Sequence, residues 1–318
     1  MYLKDKLFRL KKYLLDERSQ LNWQKNIDKK YIKLKKKKKI ILIVQQGRCG
    51  SRWLLNIFKS HKKEFTGDTT RDKLIESFYH FCEYNKIRVD HKPLIVNLKN
   101  RILQDWKEAS ASIICSPYFI FNLEKIINEI KPDKIILCIN DPVFTANSFF
   151  NKNIYNEELV YSKNLNILGL QQFQYNDISR YFGRIVPKGK SFYKWIKLGR
   201  LAKIGWYMNE TMKSLYKTLK KTKKKIYIFN LNKSDQNYEF YLSLRKKFQI
   251  KQKLSKKNFF NLKKTKATIN YSNDLTFNNY DQSKWSKKDK KDFIQETKFF
   301  RKFYLSTKNF LKLGEKII

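Results

Sequence analysis

The sequence predicts an α/β protein with three layers, in which helices cover both faces of a central parallel sheet. Short apolar runs at residues 40–44 and 134–139 have the length and composition of buried strands. Each run leads directly into the opening pattern of a helix. Strands that alternate with helices are typical of parallel sheets, which bind ligands at the carboxyl ends of their strands.

In the first half of the chain, apolar spacing and helix-ending residues define each element. The strand at 40–44 passes into a turn that contains Gly47 and Gly50. The expected elements after this turn are helix 52–60, helix 71–83, helix 99–108, strand 112–115 and helix 118–130. Pro132 follows the last of these helices and prevents it from continuing.

The second half continues the alternation. The expected elements are strand 134–139, helix 142–150, helix 206–219, strand 225–230, helix 236–248 and a last helix from Ser286 through 303. Between them, residues 151–190 are aromatic and polar with weak periodicity, and residues 251–278 form a Lys-rich loop. The predicted organisation is a basic helical lead-in at 1–39, an α/β domain at 40–250, and a loop and C-terminal helix at 251–318 that pack on that domain.

The charge of the chain is extreme, at +42 over 318 residues. It comes from 58 Lys and 12 Arg that are spread along the whole sequence, together with many Ile and Asn. Such a dispersed Lys excess is typical of a genome-wide compositional bias; the alternative is attraction to polyanions such as nucleic acid, anionic lipid or an anionic nucleotide. Base-reading proteins favour Arg, so the bias argues against sequence-specific nucleic-acid binding.

Cysteine usage and hydropathy indicate where in the cell the protein is expected to act. The four cysteines, at 49, 82, 115 and 138, lack zinc-site spacing and favour buried free thiols in a reducing environment. No run of 18 apolar residues and no signal-peptide core occur. The expected location is the cytoplasm, and an amphipathic pattern in residues 1–16 leaves peripheral membrane contact open.

The segment after the first strand has the composition of a phosphate-binding loop. Glycines let backbone N–H groups converge on an anion, and the N-terminus of the following helix adds partial positive charge. The predicted binding residues are Gly47, Arg48, Cys49, Gly50, Ser51, Arg52 and Trp53. The GxxxxGK[ST] loop of nucleotide triphosphatases is absent, because here the basic residue precedes the second glycine.

A second strand-to-helix junction follows residues 134–139. Asp141 and Pro142 suit a helix start, the first as cap and the second as a first-turn residue. With the first loop, this junction resembles the donor site of sulfotransferases, which use 3'-phosphoadenosine-5'-phosphosulfate (PAPS). In that family the first loop holds the 5'-phosphosulfate and has a basic residue, Ser or Cys, Gly and two hydroxyl residues. The chain follows this order but has Arg52 in the second hydroxyl position.

The family's 3'-phosphate motif is a strand that ends in Arg-Asp-Pro, with a Ser eight residues after the Arg. Ser148 keeps this spacing, and Asn140 stands in place of the Arg. The resemblance covers about residues 40–248 and implies a P-loop-like sulfotransferase fold. It also implies that PAPS is the sulfuryl donor, that Arg48 stabilises charge on the bridging oxygen and that no metal is needed.

The resemblance leaves the general base open. The spacing after the loop helix favours Asp68, and Glu64 and His91 are the alternatives. Asp68 is nearly as well explained as a cap of the next segment. Cys115 replaces a Lys of the family's Lys-Thr-Pro-Tyr segment, before Ser116. The implied acceptor is a hydroxyl of a glycan or glycolipid.

Two other functions stay open at this point. One is a homologue that binds PAPS or another nucleotide with altered catalysis, which the Asn and Cys replacements favour. The other is a basic protein that binds polyanions or membrane surfaces, which depends on charge alone. Binding of 3'-phosphoadenosine-5'-phosphate (PAP), the desulfated product, distinguishes the nucleotide-binding reading from the purely electrostatic one.

Overall fold

The structure is a computed structural model. It describes residues 17–70, 72–152, 154–155, 182–231, 238–262, 282–307 and 314–316. The amphipathic pattern predicted in residues 1–16 and most of the aromatic middle segment lie outside these residues. The described chain is α/β, with helices on both faces of one sheet, as the sequence predicts.

The elements of the first half alternate up to the second strand, and two helices in succession then lead to the third strand. They are α1 (Glu17–Lys35), β1 (Lys39–Val44), α2 (Ser51–Lys59), β2 (Phe65–Thr69), α3 (Lys73–Asn85), α4 (Lys92–Glu108) and β3 (Ala111–Ser116). A 3-10 turn, Pro117–Phe119, follows β3.

The second half adds two parallel strands and a short antiparallel one. Its elements are α5 (Leu123–Ile130), β4 (Lys134–Ile139), α6 (Pro142–Phe150), α7 (Lys190–Trp195), α8 (Arg200–Lys221), β5 (Ile226–Asn230), α9 (Tyr238–Phe248), α10 (Lys287–Glu296), α11 (Lys298–Ser306) and β6 (Gly314–Lys316).

The sheet has the strand order β2-β3-β1-β4-β5-β6. The first five strands are parallel, and β6 pairs antiparallel with β5. The chain leaves β1 toward β2 on one side, whereas β4 lies on the other side of β1. The order therefore reverses at the carboxyl end of β1, where open α/β sheets form their ligand crevice.

Alternate residues of each strand serve two separate apolar layers. Ile40, Leu42 and Val44 of β1 pack against the layer that holds α1, α4, α5 and α8. Ile41 and Ile43 pack against the layer that holds α2 and α9. Because both faces of the strands are buried, their sequences read as continuous apolar runs rather than alternating ones.

The terminal helices pack on this framework. In α1, the Tyr31 hydroxyl donates to the Ile130 carbonyl at 2.6 Å, and the Tyr31 ring stacks on Trp106. At the other end, α10 and α11 pack against α8, and Phe300 N donates to Asn209 Oδ1. Within the described ranges, none of the helices combines the length and apolar character that crossing a bilayer requires.

Several elements differ from the sequence-based expectations. Strand β2 was not expected, because Gly67 and Asp68 interrupt its apolar pattern. The glycine is needed there because a Cβ would collide with the Ile113 carbonyl of β3. Helix α4 begins seven residues earlier than expected, since a proline is accepted in a first turn. The expected last helix divides at Thr297, and residues 256–262 are helical within the expected loop.

Candidate functional site

The two junctions that the sequence selected meet at the carboxyl edge of the sheet. Val44, the last residue of β1, is in register with Ser116 of β3 and Leu137 of β4. The loop after β1 and the turn after β4 therefore leave neighbouring strands on the same edge. This is the point where the strand order reverses.

The loop after β1 depends on left-handed backbone. Gly47 has φ 98°, Arg48 has φ 57° and Gly50 has φ 82°. A Cβ at Gly50 would lie 2.5 Å from Leu231, the residue after β5, so a side chain cannot be placed there without displacing it. The tight turn delivers the chain to the start of α2.

The N-terminus of α2 lacks the side-chain cap that α3 and α6 have. Asp72 caps α3 and Asp141 caps α6, whereas Gly50 precedes α2 and provides no side chain. No acidic residue lies in the first turn of α2. Its first N–H groups and its positive dipole end are therefore available to an anion.

Arg48 connects the two junctions. Its Nε donates to Ser148 Oγ at 2.7 Å, across 100 residues of sequence. Although the Arg48 side chain reaches the surface, desolvation by the surrounding atoms, and next the positive charge of Arg52, lower its pKa. Neither arginine pairs with a carboxylate in the part of the chain that the structure describes. Two close and uncompensated guanidinium groups favour an anionic ligand.

Asn140 lies at the end of β4, on the other side of the loop. It is buried, and its Oδ1 accepts from Asp141 N at 2.9 Å. This bond fixes the amide so that its NH2 group is the part left to donate. Asp141 itself accepts from Val143 N at 2.8 Å and so fixes the start of α6, the helix that carries Ser148.

Two predicted loop residues have their side chains in the core. Trp53 is fully buried and stacks on Phe229 and Phe240, with ring centroids 5.8 and 6.0 Å apart. Cys49 is also buried, and its thiol donates to Gln45 Oε1 at 3.4 Å. The side chains of these two residues therefore belong to the core, so any contact that they make with a ligand in the loop comes from the backbone, and their part in binding stays a prediction.

A buried polar network supports the loop from below. Gln45 Nε2 donates to Cys115 Sγ at 3.1 Å, and the Ser51 hydroxyl lies beside the same sulfur. Burial raises the pKa of Cys115, so this thiol stays neutral. On the adjoining side, Gln46 Nε2 donates to Thr211 Oγ1 of α8 at 3.1 Å. These contacts fix the loop to β3 and α8.

The three candidate bases occupy different regions. Asp68 is exposed near the end of β2. It pairs in register with Ile114 of β3, which pairs in turn with Leu42 of β1. One strand separates β2 from β1, so the lateral distance is roughly 10 Å. Glu64 precedes β2, at the opposite edge, where its Oε2 accepts from Lys251 N. His91 begins α4 and interacts with Glu83.

Glu76 is a carboxylate that the sequence reasoning missed. It lies in the first turn of α3, is 3% exposed, and its Oε1 accepts from Asp72 N at 3.3 Å. Helix α3 begins three residues after Thr70, whose N–H donates to the Cys115 carbonyl at the end of β3 at 2.7 Å, so its first turn starts at the carboxyl edge. The negative charge of Glu76 also contributes to the raised pKa of the Cys115 thiol. An acid that precedes the aromatic residues 78–81 was the available signal.

Arg184 is a second residue that the sequence did not single out. It acts electrostatically on His80 of α3 and Tyr207 of α8. The adjacent Gly183 is so close to Tyr118 that a Cβ would lie 2.5 Å from its ring. The segment before α7 thus returns over the carboxyl edge and brings another cation there.

Comparison of the sequence with known proteins does not assign it to a family. No protein-family model matches the chain, and no curated protein matches it. Among the described residues, no group of three His, Cys, Asp or Glu side chains has the arrangement of a metal site. The functional argument therefore depends on the geometry of the site itself.

Proposed function

We propose that the protein is a sulfotransferase that binds PAPS at the carboxyl edge of the sheet and transfers its sulfuryl group to an acceptor hydroxyl. The observation that carries this proposal is the hydrogen bond between Arg48 and Ser148. It joins the residue expected at the 5'-phosphosulfate to the residue expected at the 3'-phosphate. A ligand with two anionic groups suits two adjacent anion-binding junctions.

The first junction suits the phosphosulfate. The uncapped first turn of α2 offers backbone donors, and Gly50 and Ser51 lie where those donors begin. Arg48 and Arg52 supply positive charge without a carboxylate partner among the described residues. Negative charge accumulates on the oxygen between phosphorus and sulfur as the bond from sulfur to this oxygen breaks. A fixed guanidinium beside the oxygen therefore stabilises the transition state.

The second junction suits the 3'-phosphate. Ser148 offers a hydroxyl beside Arg48, and Asn140, the residue that follows β4, has an NH2 group that can donate. The Asn140 amide donates without charge, so the positive charge in this proposal comes from Arg48.

The transfer itself moves one sulfuryl group. The acceptor oxygen forms a bond to sulfur, the bond from sulfur to the bridging oxygen breaks, and PAP leaves with that oxygen. A carboxylate accepts the proton of the acceptor hydroxyl. Asp68 has this role in the proposal, and Glu76 is the competing carboxylate because it is buried in the first turn of α3, which begins at the carboxyl edge. The position of Glu64 at the opposite edge argues against it.

The acceptor in this proposal is a glycan or glycolipid hydroxyl, and the protein acts in the cytoplasm, where peripheral contact with a membrane gives access to glycolipids. The excess of Lys over the chain supports attraction to an anionic membrane surface. Acceptor contacts are expected from the aromatic segment at 156–181. This segment and residues 1–16 lie outside the part of the chain that the structure describes.

The test is a thermal unfolding experiment with PAP. A ligand that binds only the folded state raises the melting temperature in proportion to the logarithm of its concentration. We expect a concentration-dependent rise with PAP and a smaller one with adenosine 5'-monophosphate, which lacks the 3'-phosphate. An unchanged melting curve at millimolar PAP, with the protein folded, would contradict the proposal.

A specific observation favours a second candidate, a PAP-binding protein with weak or no transferase activity. The side chain at position 115 is a buried, neutral thiol, whereas the related segment of sulfotransferases has a Lys. The site therefore lacks one cation from β3. Binding of PAP without transfer of label from PAPS to mixed glycan and glycolipid pools would support this candidate instead.

A further inference from the structure

A cavity of about 540 Å³ lies between the end of α3 and the start of α4. Its walls are formed by the loop that connects the two helices, one residue of α3 and one residue of α5. The lining residues are Glu83, Lys86, Ile87, Arg88, Val89, Asp90, His91 and Lys125. We call it the α3–α4 cavity. Four of its eight lining residues are Lys, Arg or His.

The topology places this cavity toward the carboxyl edge of the sheet, which is also the edge at which the loop after β1 lies. Helix α4 has 17 residues, about 25 Å at 1.5 Å per residue, and its last turn leads to the amino end of β3. Its first turn, with His91, therefore lies toward the carboxyl edge. Helix α5 leaves that edge after β3, and Lys125 lies in its first turn.

Of the two carboxylates in the lining, Asp90 accepts from Lys92 N at 2.9 Å, and Glu83 is paired with cations. Glu83 Oε2 lies 2.7 Å from Lys125 Nζ and 3.2 Å from His91 Nε2. His91 is held in place by two further contacts, from Nδ1 to the Val89 carbonyl at 3.0 Å and from Nε2 to Asn122 Oδ1 at 3.1 Å. The Glu83 carboxylate thus has its partners within the wall and contributes little net charge to a ligand.

Two other cations of the lining, both in the connecting loop, have no such partner in the part of the chain that the structure describes. Lys86 and Arg88 are exposed, and within the described ranges neither forms an ion pair with a carboxylate. Desolvation, and next the positive charge of Lys86, lower the pKa of Lys188. The Lys188 side chain donates to the Tyr84 carbonyl at 2.8 Å. Like charges are therefore crowded beside the cavity, and an anion there would relieve their repulsion.

We propose that the α3–α4 cavity binds an acidic group, the carboxylate of a uronic acid, on the acceptor glycan. Lys86 and Arg88 contact the carboxylate, and the side chains of Ile87 and Val89 provide apolar surface for the C–H face of a sugar ring. Ile87 is 45% exposed, so its side chain offers apolar surface to a ligand in the cavity. The inference rests on the proposed function for the identity of the acceptor, and it narrows that acceptor to an anionic glycan.

The probes are glucuronate, glucose as its uncharged match, and inorganic sulfate as a free anion. Binding to the full chain is measured by calorimetric titration for wild type and for a Lys86→Gln/Arg88→Gln double variant. A Lys107→Gln/Lys302→Gln variant removes the same charge from exposed positions outside the cavity. We expect glucuronate to bind more tightly than glucose, and about tenfold more weakly to the cavity variant alone, as for loss of charged hydrogen bonds.

Three outcomes would overturn the inference. The first is equal affinity of wild type for glucuronate and glucose, and the second is an equal loss of glucuronate affinity in both double variants. The third is competition by inorganic sulfate at the same concentration as glucuronate, which would indicate a site for free anions. PAP binding is measured in parallel and is expected to be the same in all three proteins. If wild type binds glucuronate in the cavity but does not bind PAP, the proposed function fails and the acceptor role fails with it. If it binds PAP but not glucuronate, only this inference fails.

Discussion

Arg48 Nε lies 2.7 Å from Ser148 Oγ, and this contact joins the loop after β1 to the helix after β4. Gly47, Arg48 and Gly50 give the loop the left-handed backbone that brings the guanidinium to this position. The two residues thus act as one unit of the proposed donor site, although they belong to different strand-to-helix junctions.

Replacement of either residue is expected to weaken PAP binding without unfolding the protein. Arg48→Ala removes a charged donor and should weaken PAP at least about tenfold, whereas Ser148→Ala removes a neutral hydroxyl and should have a smaller effect. The double variant should lose less than the sum, because the two side chains contact each other. Calorimetric titration with PAP measures all three, and Arg301→Ala is the charge control. Additive losses would argue against a shared site.

The two candidate carboxylates are expected to separate in a transfer assay. Loss of a general base lowers the rate by a factor of ~10² to 10⁴ and leaves donor binding intact. We expect this for Asp68→Asn, and we expect a near wild-type rate for Glu76→Gln if Asp68 is the base. The reverse result would assign the base to Glu76. A loss of PAP binding in either variant would indicate a structural role for that residue.

Trp53 is expected to contribute to stability rather than to donor recognition. Its ring is enclosed by Phe229, Phe240 and Phe259. Trp53→Ala should destabilise the fold by ~3 to 5 kcal/mol, as for large core aromatics, and Trp53→Phe by much less. Denaturant unfolding gives both values. The affinity of Trp53→Phe for PAP should stay within about twofold of wild type. A tenfold loss of affinity in this folded variant would show that the ring contributes to binding.

His80 is expected to make the fold sensitive to acid. It is fully buried, and burial lowers its pKa to about 3, while its Nδ1 lies 3.2 Å from the Tyr118 carbonyl. Between pH 6.5 and 3 the unfolded chain binds the proton and the folded chain does not, so stability falls as the pH falls. The contribution of this residue approaches ~1.4 kcal/mol per pH unit.

The His80→Asn variant keeps a donor for the Tyr118 carbonyl but cannot be protonated. Its unfolding free energy should be lower than wild type at pH 7 and should decline less steeply down to pH 4. Urea unfolding at several pH values measures both slopes. His61, whose pKa burial also lowers, is unchanged in both proteins and provides the common background. Parallel slopes would contradict the role assigned to His80.

The sequence alone was sufficient for the layered α/β architecture and for the two strand-to-helix junctions. Strands β1 and β4 are buried on both faces, so their apolar runs are visible without knowledge of their neighbours. Asp141 and Pro142 mark the start of α6 by local rules of helix capping, and the structure begins that helix at Pro142. These signals lie within short stretches of chain and depend little on tertiary contacts.

The tertiary structure decided which side chains face the site, because facing depends on residues far away in sequence. The ring of Trp53 is in the core because β5 and α9 pack over it. Glu76 starts α3 at the carboxyl edge only because the end of β2 pairs with β3, and Glu64 is removed from the site by the direction of β2. Local patterns fix hydrophobic burial and backbone conformation, whereas distances between polar groups follow from the strand order, which no single segment encodes.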